Sequence, residues 1–194
     1  IRKDYNAAVD YFEQILKRGI KHTHSLVELA ISLRKSGQIL KARELIMKVL
    51  EDDPLSFYAI AENWLEENSK ESTKRLNSLF DRNDNTFVGS YLYLYTSGKY
   101  MELKLWDDAL AILNEGINFY RNNNERVYPL LFYYAGYCYG KLGKTDLQAL
   151  NYNLAKNAEI NYVFPFSLMD QKVLEEVVSY RVDDANVFSI LGCL

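Results

Sequence analysis

Apolar positions in the C-terminal half of the chain are spaced like two helices separated by a tight turn. Phe132, Gly136 and Tyr139 follow one another at steps of four and three, which places them on one helical face. Gly143 breaks this pattern, and a second apolar stripe runs through Tyr152. The small residue Gly136 should let the second helix approach closely, while bulky neighbours fill the groove beside it. This stretch therefore predicts a helical hairpin.

The same pattern recurs along the chain at a regular interval. Ala8 and Ala42 occupy matching places, about 34 positions apart, which is the period of a helical-hairpin repeat. One hairpin cannot bury both of its faces, so such repeats are expected to stack. The sequence predicts a single domain over 1–194, truncated at both ends, with repeats at 1–20 (half), 23–54, 57–81, 86–121, 128–157 and 167–194 (incomplete).

The order of aromatic, small, aromatic and glycine positions in this hairpin resembles a tetratricopeptide (TPR) repeat. The resemblance implies an all-α fold, a right-handed superhelix of helical hairpins. More narrowly, the chain is similar to the TPR arrays of large bacterial proteins in which the array follows an N-terminal β-sandwich domain of unknown function. The segments that carry this similarity are 52–59, 105–113, 129–143 and 162–174. The chain departs from that family at Ser167 and Leu168, where arginine and glutamate are usual.

Three local features need a choice between alternatives. The run YLYLY at 91–95 alternates like a strand, but a lone strand between helical hairpins would have no partner, so we predict a helix over Thr86 to Lys104. Asn68 to Ser72 is predicted as a turn inside a less regular pair. The Asp-Asp pairs at 52–53, 107–108 and 183–184 are interpreted as capping residues at helix boundaries.

Composition and charge exclude several classes of partner. The 194 residues carry a net charge of −3 with no basic stripe, which argues against nucleic-acid binding. No stretch approaches the roughly 20 apolar residues of a membrane span. The two cysteines, Cys138 and Cys193, are expected to be buried thiols. The cellular compartment is left open, with the cytoplasm favoured.

The search for catalytic chemistry finds no motif. His22 and His24 flank Thr23, but no cysteine or third histidine completes a metal site, so a solvated helix entry is favoured. The Asp-Asp pairs are interpreted as caps, and no nucleophile motif, phosphate loop or dinucleotide glycine cluster is present. We therefore predict a protein that is not an enzyme, with no catalytic, metal or cofactor-binding residues and no cofactor.

The tyrosine-rich first helices of the repeats leave two interpretations open. Tyrosine offers apolar area and a hydroxyl, which suits a contact surface, but the same residues could only pack between neighbouring repeats. If they form a surface, the repeat register places six residues on a partner groove. These are Val27, Ile31, Tyr91, Leu94, Tyr133 and Tyr137. TPR modules that clamp a carboxylate-ended peptide carry lysine and asparagine at these groove positions, so the resemblance implies that this chain has no such clamp.

The predicted function is a non-catalytic scaffold that binds a protein or peptide in an apolar and aromatic groove. Another domain of the same full-length chain is an equally acceptable occupant. The alternative is an accessory helical domain of a larger carbohydrate-processing enzyme whose active site lies outside this chain. Self-association through the C-terminal end, around Phe188 and Leu191, is a further possibility.

Overall fold

The computed structural model places the chain in two compact units. Unit 1 is Ile1–Asp81 and unit 2 is Arg82–Leu194. The structure describes residues 4–19, 22–78, 86–161, 163–165, 167–180 and 183–193. All regular secondary structure in these ranges is α-helical, which confirms the predicted all-α, hairpin-based fold class. The single domain over 1–194 and the handedness of its superhelix stay predictions.

Within its described residues, unit 1 contains five helices, each in contact with the next helix of the unit along the chain. They are α1 (Tyr5–Lys17), α2 (Thr23–Lys35), α3 (Ile39–Asp52), α4 (Phe57–Glu67) and α5 (Lys70–Asn77). Between α2 and α3, Gly37 has φ +88°, a left-handed conformation that glycine adopts without steric cost. The α2–α3 hairpin shares a buried core with α1, formed by Val9, Leu29, Leu33 and Ala42.

An ion pair holds α4 against α2. Arg34 donates from Nε to Glu62 Oε1 at 2.6 Å and from Nη2 to Oε2 at 3.0 Å. Glu62 is buried, so removal of the arginine would leave a buried charge without its bidentate donor, a costly change. A second arginine pair, Arg43 with Glu66, joins α3 to α4 at a more exposed position. These two ion pairs attach α4 to α2 and α3 in the repeat at 57–81, the helix pair that the sequence predicts to be less regular.

The predicted turn from Asn68 to Ser72 is too long. Asn68 ends α4 in the left-handed conformation at φ 45°, and α5 begins two residues later. Ser69 caps α5 by accepting a hydrogen bond from the Ser72 N–H at 3.0 Å, and the Ser72 hydroxyl accepts in return from the Ser69 N–H. This capping box starts a helix inside the predicted turn. The last residues of the repeat predicted at 57–81, from position 79 onward, lie outside the described residues.

Unit 2 contains six helices among its described residues. They are α6 (Thr86–Glu102), α7 (Trp106–Asn122), α8 (Pro129–Lys141), α9 (Thr145–Lys156), α10 (Leu168–Tyr180) and α11 (Ala185–Leu191). The YLYLY run lies inside α6, as predicted. Helix α6 packs against both α7 and α8. Consecutive residues such as Tyr93 and Leu94 are therefore both buried, and the apolar residues of α6 cover more than one face of the helix.

Helix α8 is the centre of unit 2. Every residue from Pro129 to Cys138 is buried, and α6, α7, α9 and α10 all pack against it. Its closest neighbour is α9: a Cβ added at Gly136 would lie 2.3 Å from Cε1 of Tyr152. A similar approach joins α6 and α7, where a Cβ at Gly116 would lie 2.8 Å from the ring of Tyr93. The small residue predicted at Gly136 therefore is a close helix–helix contact.

Two smaller expectations need correction. Cys138 is buried as predicted, but Cys193 is exposed because it lies in the turn that follows α11. Among the Asp-Asp pairs predicted as caps, the pair at 183–184 fulfils the prediction, since Asp184 caps α11. Asp52 and Asp53, by contrast, lie at the C-terminal end of α3, where the helix dipole disfavours a carboxylate, and Ser56 caps the next helix.

Gly136→Ala is predicted to lower the free energy of unfolding by about 1–3 kcal/mol, because its methyl group would overlap the Tyr152 ring. Gly98→Ala is the matched control, since its methyl would meet only Met169 Cγ at 3.8 Å. Because alanine has a better helix propensity than glycine, Gly98→Ala should leave the free energy of unfolding unchanged or raise it by up to about 1 kcal/mol. Urea unfolding measures both variants. An equal change in the free energy of unfolding for Gly136→Ala and Gly98→Ala would contradict the close approach of α8 and α9.

Candidate functional site

A depression in unit 2 lies between α6, α8 and the start of α10. It has a volume of about 210 Å³ and is called the α6 trough below. One face of α6 forms its long wall, Tyr134 of α8 contributes the floor, and residues 167–170 form the opposite wall. The lining residues of α6 are Tyr91, Leu94, Tyr95, Gly98, Lys99 and Glu102.

Hydrogen bonds fix the floor of the α6 trough. Tyr134 donates from its hydroxyl to Asp170 Oδ1 at 2.6 Å, and both residues are buried. Asp170 Oδ2 accepts from the hydroxyl of Ser167 at 2.7 Å and from its N–H at 2.9 Å. The Ser167 hydroxyl in turn accepts from the Asp170 N–H at 3.0 Å, which caps α10. The start of α10 is therefore held on α8 before any ligand arrives.

Tyr91 and Tyr134, which line the α6 trough, keep their protons at neutral pH. Burial, followed by the charge of Asp170 and its hydrogen bond, raises the pKa of Tyr134 well above its usual value. Burial also raises the pKa of Tyr91, with smaller contributions from Tyr95 and Asp170, whereas Lys99 lowers it. These phenols therefore act as neutral aromatic walls and hydrogen-bond donors, not as bases.

The loop before α10 is held by a further tyrosine. Tyr128, which precedes α8, accepts a hydrogen bond at its hydroxyl from the Phe164 N–H at 3.1 Å. Burial raises the pKa of Tyr128 to about 12, so this phenol also stays neutral. The chain that leads into the trough wall is thus attached to the same helix as the trough floor.

A second tyrosine of α8 positions α11. Tyr133 donates from its hydroxyl to both carboxylate oxygens of Asp184, at 3.1 and 3.0 Å. Asp184 is buried and caps α11 by accepting from the N–H groups of Asn186 and Val187. Asn186 donates to three carbonyl oxygens at the end of α9, those of Ala155, Lys156 and Ala158. Adjacent tyrosines on α8 therefore fix the starts of both helices that follow α9.

The six predicted groove residues lie on different helices and differ in how far they are buried. Val27 and Ile31 are buried in α2 of unit 1, whereas Tyr91 and Leu94 both line the α6 trough. Five of the six are buried, and Tyr91 is partly exposed. That these six residues together contact a partner stays a prediction.

Two of the six, Tyr133 and Tyr137, do not face an open groove. Tyr133 bonds Asp184, and Tyr137 packs edge-on against Trp106 with ring centroids 6.1 Å apart. Tyr134, one position away, takes the place expected for Tyr133 beside Tyr91 and Leu94. The reason is that α8 is buried on every side, so apolar periodicity does not distinguish its faces.

Sequence reasoning missed most of the residues that line the α6 trough. Tyr95, Gly98, Lys99 and Glu102 continue the face that Tyr91 begins, at helical steps. That spacing was available in the sequence. Leu168, which is 85% exposed, could not be found in this way because it begins a new helix across the trough.

Other surfaces of the described residues offer less defined sites. A depression of about 420 Å³ in unit 1 is lined by charges of both signs, among them Glu67, Glu71, Lys74 and Arg75. His24 lies against the ring of Tyr58, with centroids 5.0 Å apart. The described residues contain no group of three His, Cys, Asp or Glu side chains that could hold a metal ion. None of the described helices is long and apolar enough to cross a membrane.

Comparisons with known proteins add little to this description. No family model matches the sequence, and no curated protein matches it. One solved structure with a similar course of the chain is named MamA MSR-1 C2. It is 15% identical, the superposition covers 78% of this chain and 84% of that chain, and the TM-score is 0.36. The site is therefore interpreted from its own residues.

Tyr134→Phe is predicted to lower the free energy of unfolding by about 1–3 kcal/mol, since it removes the hydroxyl donor of a buried carboxylate. Tyr139→Phe on the same helix is the matched control, because its hydroxyl only accepts from Asn114 at 3.4 Å in a half-buried position. Urea unfolding compares the two. A loss for Tyr139→Phe as large as that for Tyr134→Phe would contradict the role of Asp170 in holding α10.

Proposed function

We propose that the chain is a non-catalytic, TPR-like interaction module that binds an extended segment of a protein in the α6 trough. The supporting observation is a depression with aromatic and apolar walls whose two sides are already held together by buried hydrogen bonds. Binding to a preformed surface of this kind does not spend free energy on ordering the site.

The dimensions of the α6 trough fit a short extended segment. The face of α6 from Tyr91 to Glu102 extends for about 16 Å, at 1.5 Å per helical residue. About five residues of extended chain have that length. Tyr95 and Leu168, on opposite walls, are 42% and 85% exposed and give such a segment apolar surface to cover.

The ionisable groups of the α6 trough are engaged in structural contacts, which supports a binding role over catalysis. Lys99 donates to Glu102 at 3.2 Å, and Asp170 accepts from Tyr134 and Ser167. The alternative role, as an accessory domain of a carbohydrate-processing enzyme, concerns residues outside this sequence and stays a prediction.

Self-association through the C-terminal end is a second proposal, and it has one observation in its favour. Tyr180 of α10 and Phe188 of α11 are each 47% exposed, whereas Val187 and Ile190 are buried. The end of unit 2 therefore presents aromatic surface that a second copy could cover. Light scattering of the wild-type chain and of Phe188→Ser would decide this: a dimer that persists in the variant, or a monomer in both, would contradict the proposal.

Leu168→Ser is predicted to weaken peptide binding about tenfold, because it removes apolar side-chain surface from the wall of the α6 trough without changing its charge. The peptides are selected by display of a random library on the wild-type chain, and their dissociation constants are measured by fluorescence anisotropy. Leu40→Ser is the control, since Leu40 is 73% exposed on α3 of unit 1. Failure to select any peptide, or equal binding to Leu168→Ser and wild type, would overturn the proposal.

A further inference from the structure

Negatively charged groups outnumber positively charged groups in the lining of the α6 trough. Two carboxylates, Asp170 and Glu102, line it together with one ammonium group, that of Lys99. Lys99 donates to Glu102 at 3.2 Å, so these two charges offset each other. The Asp170 carboxylate also acts on the ring at one end of the trough, since its charge contributes, after burial and Tyr95, to the raised pKa of Tyr91. The charge of the trough therefore favours a cationic guest over an anionic one.

The start of α10 does not offer an anion site, although a helix N-terminus commonly does. The Ser167 N–H donates to Asp170 Oδ2, and the Asp170 N–H donates to the Ser167 hydroxyl. A carboxylate or phosphate would have to displace this capping box and would meet the charge of Asp170. Anionic guests are disfavoured on both counts.

The aromatic wall has the geometry that holds a cation. The rings of Tyr91 and Tyr95 lie with centroids 6.1 Å apart, and Lys99 Nζ lies 5.3 Å from the centroid of Tyr95. A cation within about 6 Å of a ring centroid is attracted by the negative face of the ring. Lys99 thus already makes, within the chain, the contact that a basic guest would make.

The size and polarity of the α6 trough match one long side chain. Its volume of about 210 Å³ is below the roughly 300–1,000 Å³ of sites that enclose a whole small molecule. Its inner surface includes Leu94, Gly98 and Met169, against which an aliphatic stem can lie. Lysine and arginine combine such a stem with a charged head.

We propose that the α6 trough receives a lysine or arginine side chain of the bound segment, with the stem on the Met169 wall and the cationic head between the ring of Tyr95 and the carboxylate of Glu102, where Lys99 now lies. This proposal rests on the proposed function, which requires only that a segment of a protein occupies the trough. Lys99 is the internal competitor of the guest, and Glu102 is the partner that they would share.

The test is a nuclear magnetic resonance titration of the full chain with three pentapeptides. Each has an acetylated N-terminus, an amidated C-terminus and glycine at four positions, with arginine, norleucine or glutamate in the centre. The arginine peptide should shift resonances of α6 and of Leu168 and bind about fivefold tighter than the norleucine peptide, as expected for one exposed cation–π or ionic contact. The glutamate peptide should bind more weakly than both.

Two variants separate basic recognition from general apolar contact. Glu102→Gln should weaken the arginine peptide about threefold and leave norleucine binding unchanged, because it removes a half-exposed carboxylate. Lys99→Gln should strengthen the arginine peptide by a similar factor, since the internal competitor is lost. Neither residue is part of the buried core.

The outcomes distinguish the two proposals. If the norleucine peptide binds the α6 trough as tightly as the arginine peptide, or if Lys99→Gln weakens the arginine peptide, basic recognition is overturned while the interaction site stands. If no peptide, including those selected by display, shifts any trough resonance, both proposals are overturned.

Discussion

The ring of Tyr152 lies directly on the backbone of Gly136, and this contact sets how closely α8 and α9 pack. Any side chain at position 136 would occupy the space of the ring, since even a Cβ would lie 2.3 Å from it. Close packing at this point lets α8 be covered by α9 on one side while α6, α7 and α10 cover the others. This buried helix is therefore in contact with four of the other described helices of unit 2.

Burial of α8 has a consequence for its tyrosines, whose hydroxyl groups need partners inside the protein. Tyr134 finds Asp170, and Tyr133 finds Asp184, each of which caps the start of another helix. Hydrogen bonds from phenols thereby satisfy carboxylates that would be costly to bury alone. They also determine where α10 begins, and with it the position of the wall opposite α6. The shape of the α6 trough is thus a product of the core, not of a flexible surface loop.

Much of the fold could be predicted from the sequence because the helices alternate with clear turn residues and the small residues recur at a fixed period. Gly136 and Gly143 were identified from spacing alone, and both perform the expected role, Gly136 as a close contact and Gly143 as the turn between α8 and α9. The site was harder to predict. Helical periodicity identifies a face only when one face is polar, and α8 has none among positions 129–138. Tyr134, and not its neighbour Tyr133, therefore lines the α6 trough, and the position of Leu168 depends on a contact between distant helices that no local pattern reveals.

Native-state hydrogen exchange of the full chain tests the central role of α8 most directly. If α8 is the element on which unit 2 depends, its amides should be the slowest to exchange in unit 2 and should open only with the unfolding of the whole unit. Amides of α11, a helix of seven residues whose Phe188 is 47% exposed, should exchange faster through local opening. Exchange of the amides from Leu131 to Cys138 as fast as those of α11 would contradict this account.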